Sequence, residues 1–396
     1  MSFANHDGVR LYWRLDGAED RPVLLLLNSL GTDMSLWDRA AVHLLGQFRL
    51  LRMDVRGHGA SDAPAGDYRL DELARDALAV MDAAQVQRAT VCGISLGGMI
   101  AMALALQAPA RLTALICACT SAQINAQAWA KRVDTVRTQG MRVIVDLVMQ
   151  RYFDDAFRRT HPELCVSVLT GLLAMNADGY AGCGAAVRDM DLIGRIGAIR
   201  MPVLLISAKR DISMPFSSHG ERILAALGGA RHVSLDAAHL ACVEAPGAFA
   251  AAVRGFVSEV LSGSEARAAQ EVLLQAGMQT RREVLGEQWV ERTLATRTPF
   301  NAEFQSLVAR YAWHEIWGRP GLDPCTRRLL ALAMTVSLGS WEEFRLHVRA
   351  GLLQGGFTEY ELKEVLMQAA IYVGVPAANT AFNEAAAVMR ELEGQR

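Results

Sequence analysis

At Ser262-Gly263-Ser264 the rhythm of the chain changes. Ahead of that seam, short apolar runs bounded by turn residues alternate with helical patterns; beyond it every pattern is helical. The runs are "VRLYWRLDG", "PVLLLLNS", "FRLLRMDVRG", "ATVCGIS", "LTALICACT", "PVLLISAK" and "RHVSLD". The middle ones are apolar on both faces, as strands of a parallel sheet covered by helices must be. With helical patterns between them, such as Leu70 to Gln85, residues 1–261 read as a doubly wound, mostly parallel α/β domain. From about 121 to 200 no strand pattern occurs. That interval is expected to be a helical cap over the carboxyl edge of the sheet, where ligands bind in such folds. Ser-Gly-Ser is read as flexible, opening a linker over 262–270. Residues 271–396 then form an all-α domain with a core of its own.

Composition narrows the functions open to such a chain. Its 396 residues are 52% hydrophobic with a formal net charge of −2. The basic excess that a nucleic-acid or acidic-membrane partner requires is absent. The start, "MSFANHDGVR", has no apolar signal core. Ala89 to Ala110 carries no charge over 22 residues, long enough for a membrane span. Its Gly93, Gly97, Gly98 and Pro109 favour instead a buried strand, a tight turn and a buried helix. Seven cysteines form no CxxC pair and no metal-ligand spacing, which fits reduced thiols in the cytoplasm. No metal, cofactor, nucleic acid or membrane is expected.

"GISLGG", Gly93 to Gly98, is a G-x-S-x-G motif between an apolar strand and an apolar helix. Small flanking residues permit the sharp turn that exposes the Ser95 hydroxyl. A serine needs a base and an orienting acid to become a nucleophile. "LLISAKRDISMP" places Asp211 beyond one strand, and "SLDAAHLACVEAP" places His239 beyond the next. The order Ser, Asp, His is that of α/β-hydrolases. Asp236 is a rival acid, but it lies too near His239 in sequence. An oxyanion hole would use the backbone N–H groups of Leu96 and Leu30, the latter in the loop "LLLLNSLGTDMSLWD".

"NSLGTDMSLWD", "DVRGHGASDAP" and "CGISLGGMIAM" resemble the 3-oxoadipate enol-lactonases, α/β-hydrolases, over residues 1–261. Asn28-Ser29 stands where many α/β-hydrolases have His-Gly. Asp54, Arg56 and His58 are expected to shape a turn near the site. Trp129 and Arg132 in the cap are candidate substrate contacts, since a free carboxylate on the substrate calls for an arginine.

"SWEEFRLHVRAG" sets Glu343 and His347 four residues apart on one helical face. Ser340-x-x-Glu343 also reads as a capping box, in which Glu343 would only close the helix N-terminus. "AGMQTRREVLG", "TPFNAEFQ", "IWGRPGLDP", "FRLHVRAG" and "MQAAIYVGVPAANTAF" resemble the 4-carboxymuconolactone decarboxylases from about Ala276 onward. Some members of that superfamily carry a C-x-x-C-x-x-x-H redox motif; here Ser340 and Glu343 hold the cysteine places, so no thiol pair can cycle. His347 is expected to donate a proton to, or stabilise, a dienolate, with Glu343 setting its tautomer and charge. Arg327 and Arg349 are candidate carboxylate clamps.

Together the resemblances imply a bifunctional enzyme of protocatechuate breakdown in the β-ketoadipate pathway. Its partners would be small lactones, and the second family implies homo-oligomers formed through the C-terminal domain. The alternative is a hydrolase of other small esters whose C-terminal domain only assembles the chain.

Overall fold

The apolar runs become strands because their leucine and β-branched residues fit a sheet buried on both faces. A computed structural model describes residues 2–354 and 356–394. Its strands are β1 Ser2–His6, β2 Val9–Asp16, β3 Val23–Leu27, β4 Arg49–Met53, β5 Ala89–Ile94, β6 Leu112–Ala118, β7 Val203–Ala208 and β8 Arg231–Leu235. They form one sheet in the order β1-β2-β4-β3-β5-β6-β7-β8. From β4 to β8 all neighbours are parallel, while β1 and β2 add an antiparallel edge. β1 escaped the sequence reading because it is a half-exposed edge strand with little apolar content. At the centre, Leu24 to Leu27 are wholly buried.

The interval 121–200 is a cap of five α-helices: Ala126–Gln139, Val145–Tyr152, Asp155–Thr160, Pro162–Ala174 and Ala177–Arg188. An antiparallel bridge between Gln123 and Asp191 closes its base. The charge-free run resolves into β5, a turn and the buried helix Leu96–Gln107. No single helix among the described residues is long and apolar enough to cross a membrane.

Contacts divide the chain into two units, Met1–Leu261 and Ser262–Arg396. The stretch 262–270, read as a flexible linker, is instead helical, inside Pro246–Leu285. Glu265 to Glu271 are strong helix formers, and one glycine costs only about 1 kcal/mol against them. The second unit adds Glu287–Ala295, Ala302–Val308, a wide π-helical segment Ala309–Trp317, and the helices Pro324–Leu338, Trp341–Leu353, Glu359–Tyr372 and Val375–Glu393. Leu332, Val336, Phe344, Val348, Leu362 and Leu366 are central to its larger apolar core. A smaller one gathers Val284, Val290 and Trp313. Leu330, Met334 and Leu338 on one helix and Met367 and Ile371 on another remain exposed.

Candidate active sites

In the first unit the chemistry collects at the carboxyl ends of the parallel strands. Ser95 follows β5 with φ 55° and ψ −116°, a conformation that L-residues rarely hold. Two glycines allow it. A Cβ on Gly93 would fall 2.0 Å from Gly97 O, and one on Gly97 would fall 2.0 Å from Leu27 O. The turn is tied by Ser95 N–H donating to Ala118 O at 2.9 Å and by Thr120 Oγ1 donating to Ser95 O at 2.6 Å. Leu96 opens the following helix, so its N–H has no acceptor within that helix.

Asp211 lies just past β7 and His239 just past β8; His239 Nδ1 and Asp211 Oδ2 are 2.9 Å apart. Burial opposes the Asp211 charge. The charge and hydrogen bond of His239, with the N–H groups of Met214 and Ser213, outweigh burial and hold the carboxyl below its usual range. The rival Asp236 is exposed and paired with Arg210. Ser95 and His239 both line a cavity of about 60 Å³ with Leu30, Trp129, Arg132 and Arg151. A larger cavity of about 600 Å³ beside Gly31 and Leu164 includes neither Ser95 nor His239, so the chemistry belongs to the smaller one.

The loop carrying Leu30 is held from below by the "DVRGHG" turn. Gly31 N–H donates to His58 Nε2 at 2.9 Å, which leaves Nδ1 to donate to Arg56 O at 3.1 Å. Asp54 accepts from the N–H groups of Met34 and Ala60, each at 2.8 Å. Asn28, at the departure from His-Gly, bridges Met53 O and Trp37 Nε1. Burial pushes His58 down to about 4, which keeps it neutral and able to accept. Its folded value lies below its ordinary 6.5, so the unfolded chain takes up the proton first as pH falls. The native state therefore loses up to about 3 kcal/mol from this residue between pH 6.5 and 4. Urea unfolding at pH 7 and pH 4.5 should show a smaller acid loss for His58→Gln than for the parent; equal losses would exclude this linkage.

Arg132 and Arg151 are the cationic part of the cavity. Arg132 donates to the Tyr180 hydroxyl and lies over the Trp129 ring, 4.8 Å from its centroid. Arg151 comes from the last turn of Val145–Tyr152 and was not singled out from sequence, where nothing local marks it. No carboxylate among the described residues pairs with either arginine. Burial, then the charge of Arg132, lowers the proton affinity of Arg151. Two half-buried cations with no counter-ion among the described residues can hold an anion.

In the second unit, His347 stacks on Trp317, ring centroids 5.5 Å apart, and its Nδ1 is buried without a partner among the described residues. Burial, reinforced by the charge of Arg328 and opposed by Glu343, pushes it down to about 4. Glu343 is exposed on the same helix and makes no hydrogen bond to His347. The expected capping box does not form, because the Ser340 side chain makes no cap bond. The two arginines expected as clamps are occupied elsewhere. Arg327 donates to Leu322 O and Arg319 O, at 3.2 and 2.9 Å, and Arg349 pairs with Glu391. The cation beside His347 is Arg328, only 3% exposed, with Nε and Nη1 unpartnered among the described residues. Helical spacing marks it, since Arg328 shares a face with buried Leu332 and Val336.

Residues 22–246 match the α/β hydrolase fold family, and residues 302–387 match the carboxymuconolactone decarboxylase family. The chain thus belongs to both families, one in each unit. Over 246 residues it is 36% identical to 3-oxoadipate enol-lactonase 2 of Acinetobacter baylyi, covering 62% of this chain and 92% of that one. Over 116 residues it is 42% identical to 4-carboxymuconolactone decarboxylase of the same organism, covering 29% of this chain and 86% of that one. The crystal structure of an enol-lactonase from Burkholderia xenovorans superposes with a TM-score of 0.63 at 33% identity, covering 65% of this chain and all of the other.

Proposed function

We propose that the second unit decarboxylates 4-carboxymuconolactone and that the first hydrolyses the resulting 3-oxoadipate enol-lactone to 3-oxoadipate. One observation carries this reading: a single chain joins families whose relatives are named for reactions that connect, the product of one being the ester cleaved by the other. In the second unit, loss of CO2 from the γ-carbon leaves charge that delocalises to the lactone carbonyl, so the substrate is its own electron sink, and a proton taken from solvent at the α-carbon completes the enol-lactone. Arg328 would hold a carboxylate. Of the two roles open to His347, donating a hydrogen bond to the dienolate suits a neutral imidazole better than acting as a cationic acid.

In the first unit, Ser95 would attack the lactone carbonyl while His239, oriented by Asp211, takes its proton. The N–H groups of Leu30 and Leu96 would hold the oxyanion, and the expelled enolate would take that proton and become a ketone. Water activated by His239 then frees 3-oxoadipate. Arg132 and Arg151 would hold the free carboxylate. Replacing either by Met should raise KM for the enol-lactone by about 10- to 100-fold, the worth of a charge-assisted hydrogen bond. The methyl ester of the same substrate should feel little change; an equal loss on both would remove the arginines from recognition. Supplying the whole chain with 4-carboxymuconolactone tests the full reading, with one CO2 expected per 3-oxoadipate. If enol-lactone is hydrolysed but no CO2 appears, only the hydrolase half stands.

A further inference from the structure

Among the described residues Arg281 is a buried cation without an anion. It lies on the helix Pro246–Leu285, at helical spacing from buried Gly277, Val284 and Leu285, and is 6% exposed. Its guanidinium sits over the rings of Trp289 and Trp313, 5.3 and 6.0 Å from their centroids. Nη1 donates one long bond, 3.3 Å, to Gln305 Oε1, and Nε has no partner among the described residues. Burial lowers its proton affinity, and no neighbouring charge offsets that. The aromatic faces recover part of the lost hydration, but packing alone would be served better by an apolar side chain. The fold therefore gives no reason for a cation at this position.

The space beside it does. A cavity of about 190 Å³ is bounded by Arg281, Arg282, Arg297, Gln305 and Ser306, with Met278 and Leu294 on its apolar side and no acidic residue in its wall. Arg282 is neutralised by Glu287 and Glu291. Arg297 has no carboxylate partner among the described residues; its Nη2 donates to Ala302 O and Ser306 Oγ at 3.2 and 3.0 Å. Two uncompensated guanidinium groups, an amide and a hydroxyl thus meet around a part-apolar space.

We propose that Arg281 and Arg297, with Gln305 and Ser306, form a binding pocket for a small aliphatic carboxylate. A guanidinium fork matches the paired oxygens of a carboxylate, and Met278 and Leu294 would receive a short carbon chain. Stacked rings lead from Arg281 through Trp313 and Trp317 to His347. Such an acid could be the substrate of this unit, an assignment that rests on the decarboxylase reading, or a separate effector.

Tryptophan fluorescence reports on the pocket directly, because Trp289 and Trp313 flank Arg281. Titrating the intact chain with adipate at constant ionic strength should give a saturable change that chloride does not reproduce. Arg281→Met should weaken it about tenfold or more, with Arg281→Lys between. Arg297→Gln should also weaken it, which keeps the test decisive if Arg281→Met does not fold. No saturable change in the parent chain, or unchanged affinity in the folded variants, overturns the proposal. Competitive inhibition of CO2 release by adipate, with a raised KM in Arg281→Lys, identifies the ligand as substrate. Binding that does not compete with the substrate of CO2 release, or that persists where the chain releases no CO2, identifies a carboxylate site separate from the substrate's.

Discussion

Ser95→Ala should release CO2 from 4-carboxymuconolactone at the parent rate and accumulate the enol-lactone. Its hydrolysis should fall by about 10⁴-fold or more. The loss belongs in kcat, since Arg132 and Arg151 still line the cavity and the backbone donors remain. Alanine at φ 55° bears the same backbone strain as serine and loses no side-chain cap bond, so stability should hardly change. Coupled absorbance and product assays separate the two steps. Hydrolysis at the parent rate would mean that the nucleophile lies elsewhere; loss of both activities with an intact melting transition would mean that the two reactions share a site.

His347→Leu should lower CO2 release by about 10²- to 10³-fold, the cost of removing one hydrogen-bond donor from a developing oxyanion. Because the free imidazole titrates at about 4, the parent rate should show no His347 step between pH 6 and 8. Arg328→Met offers a sharper check. Removing the positive charge that helps hold His347 neutral should move the acid limb to higher pH as well as lower the rate. A merely structural Arg328 would change the rate and leave the limb in place. Turnover in His347→Leu equal to the parent would remove the residue from the chemistry.

The first unit was largely legible because its signals are local. Ser95 stands between a strand and a helix at a turn that only small flanking residues permit, and Asp211 and His239 each follow a strand. What brings them together is the parallel sheet, and a parallel sheet can be read from apolar runs. Arg151 was not legible, since its place at the cavity depends on how five cap helices fold back. In the second unit the arginine whose charge reaches His347 is Arg328, not the neighbouring Arg327 expected as a clamp. Arg327 and Arg328 differ by 100° around one helix, and the buried stripe of Leu332 and Val336 points to the second. Gly277, Val284 and Leu285 mark Arg281 in the same way. The seam at 262–270 misled because Ser-Gly-Ser was weighed without the helix-forming residues after it.

Gly97 touches Leu27 with nothing between them but backbone. Leu96 is one residue before that contact and Leu30 three residues after its other side, so the gap between the two proposed oxyanion donors is a main-chain dimension. Side-chain variation in the cap can change which acid is admitted without altering that gap. A single methyl at position 97 would widen it for every substrate at once. A laboratory search for new lactone or ester specificities would therefore find productive diversity around Trp129, Arg132 and Arg151, and almost none along the contact that sets the gap.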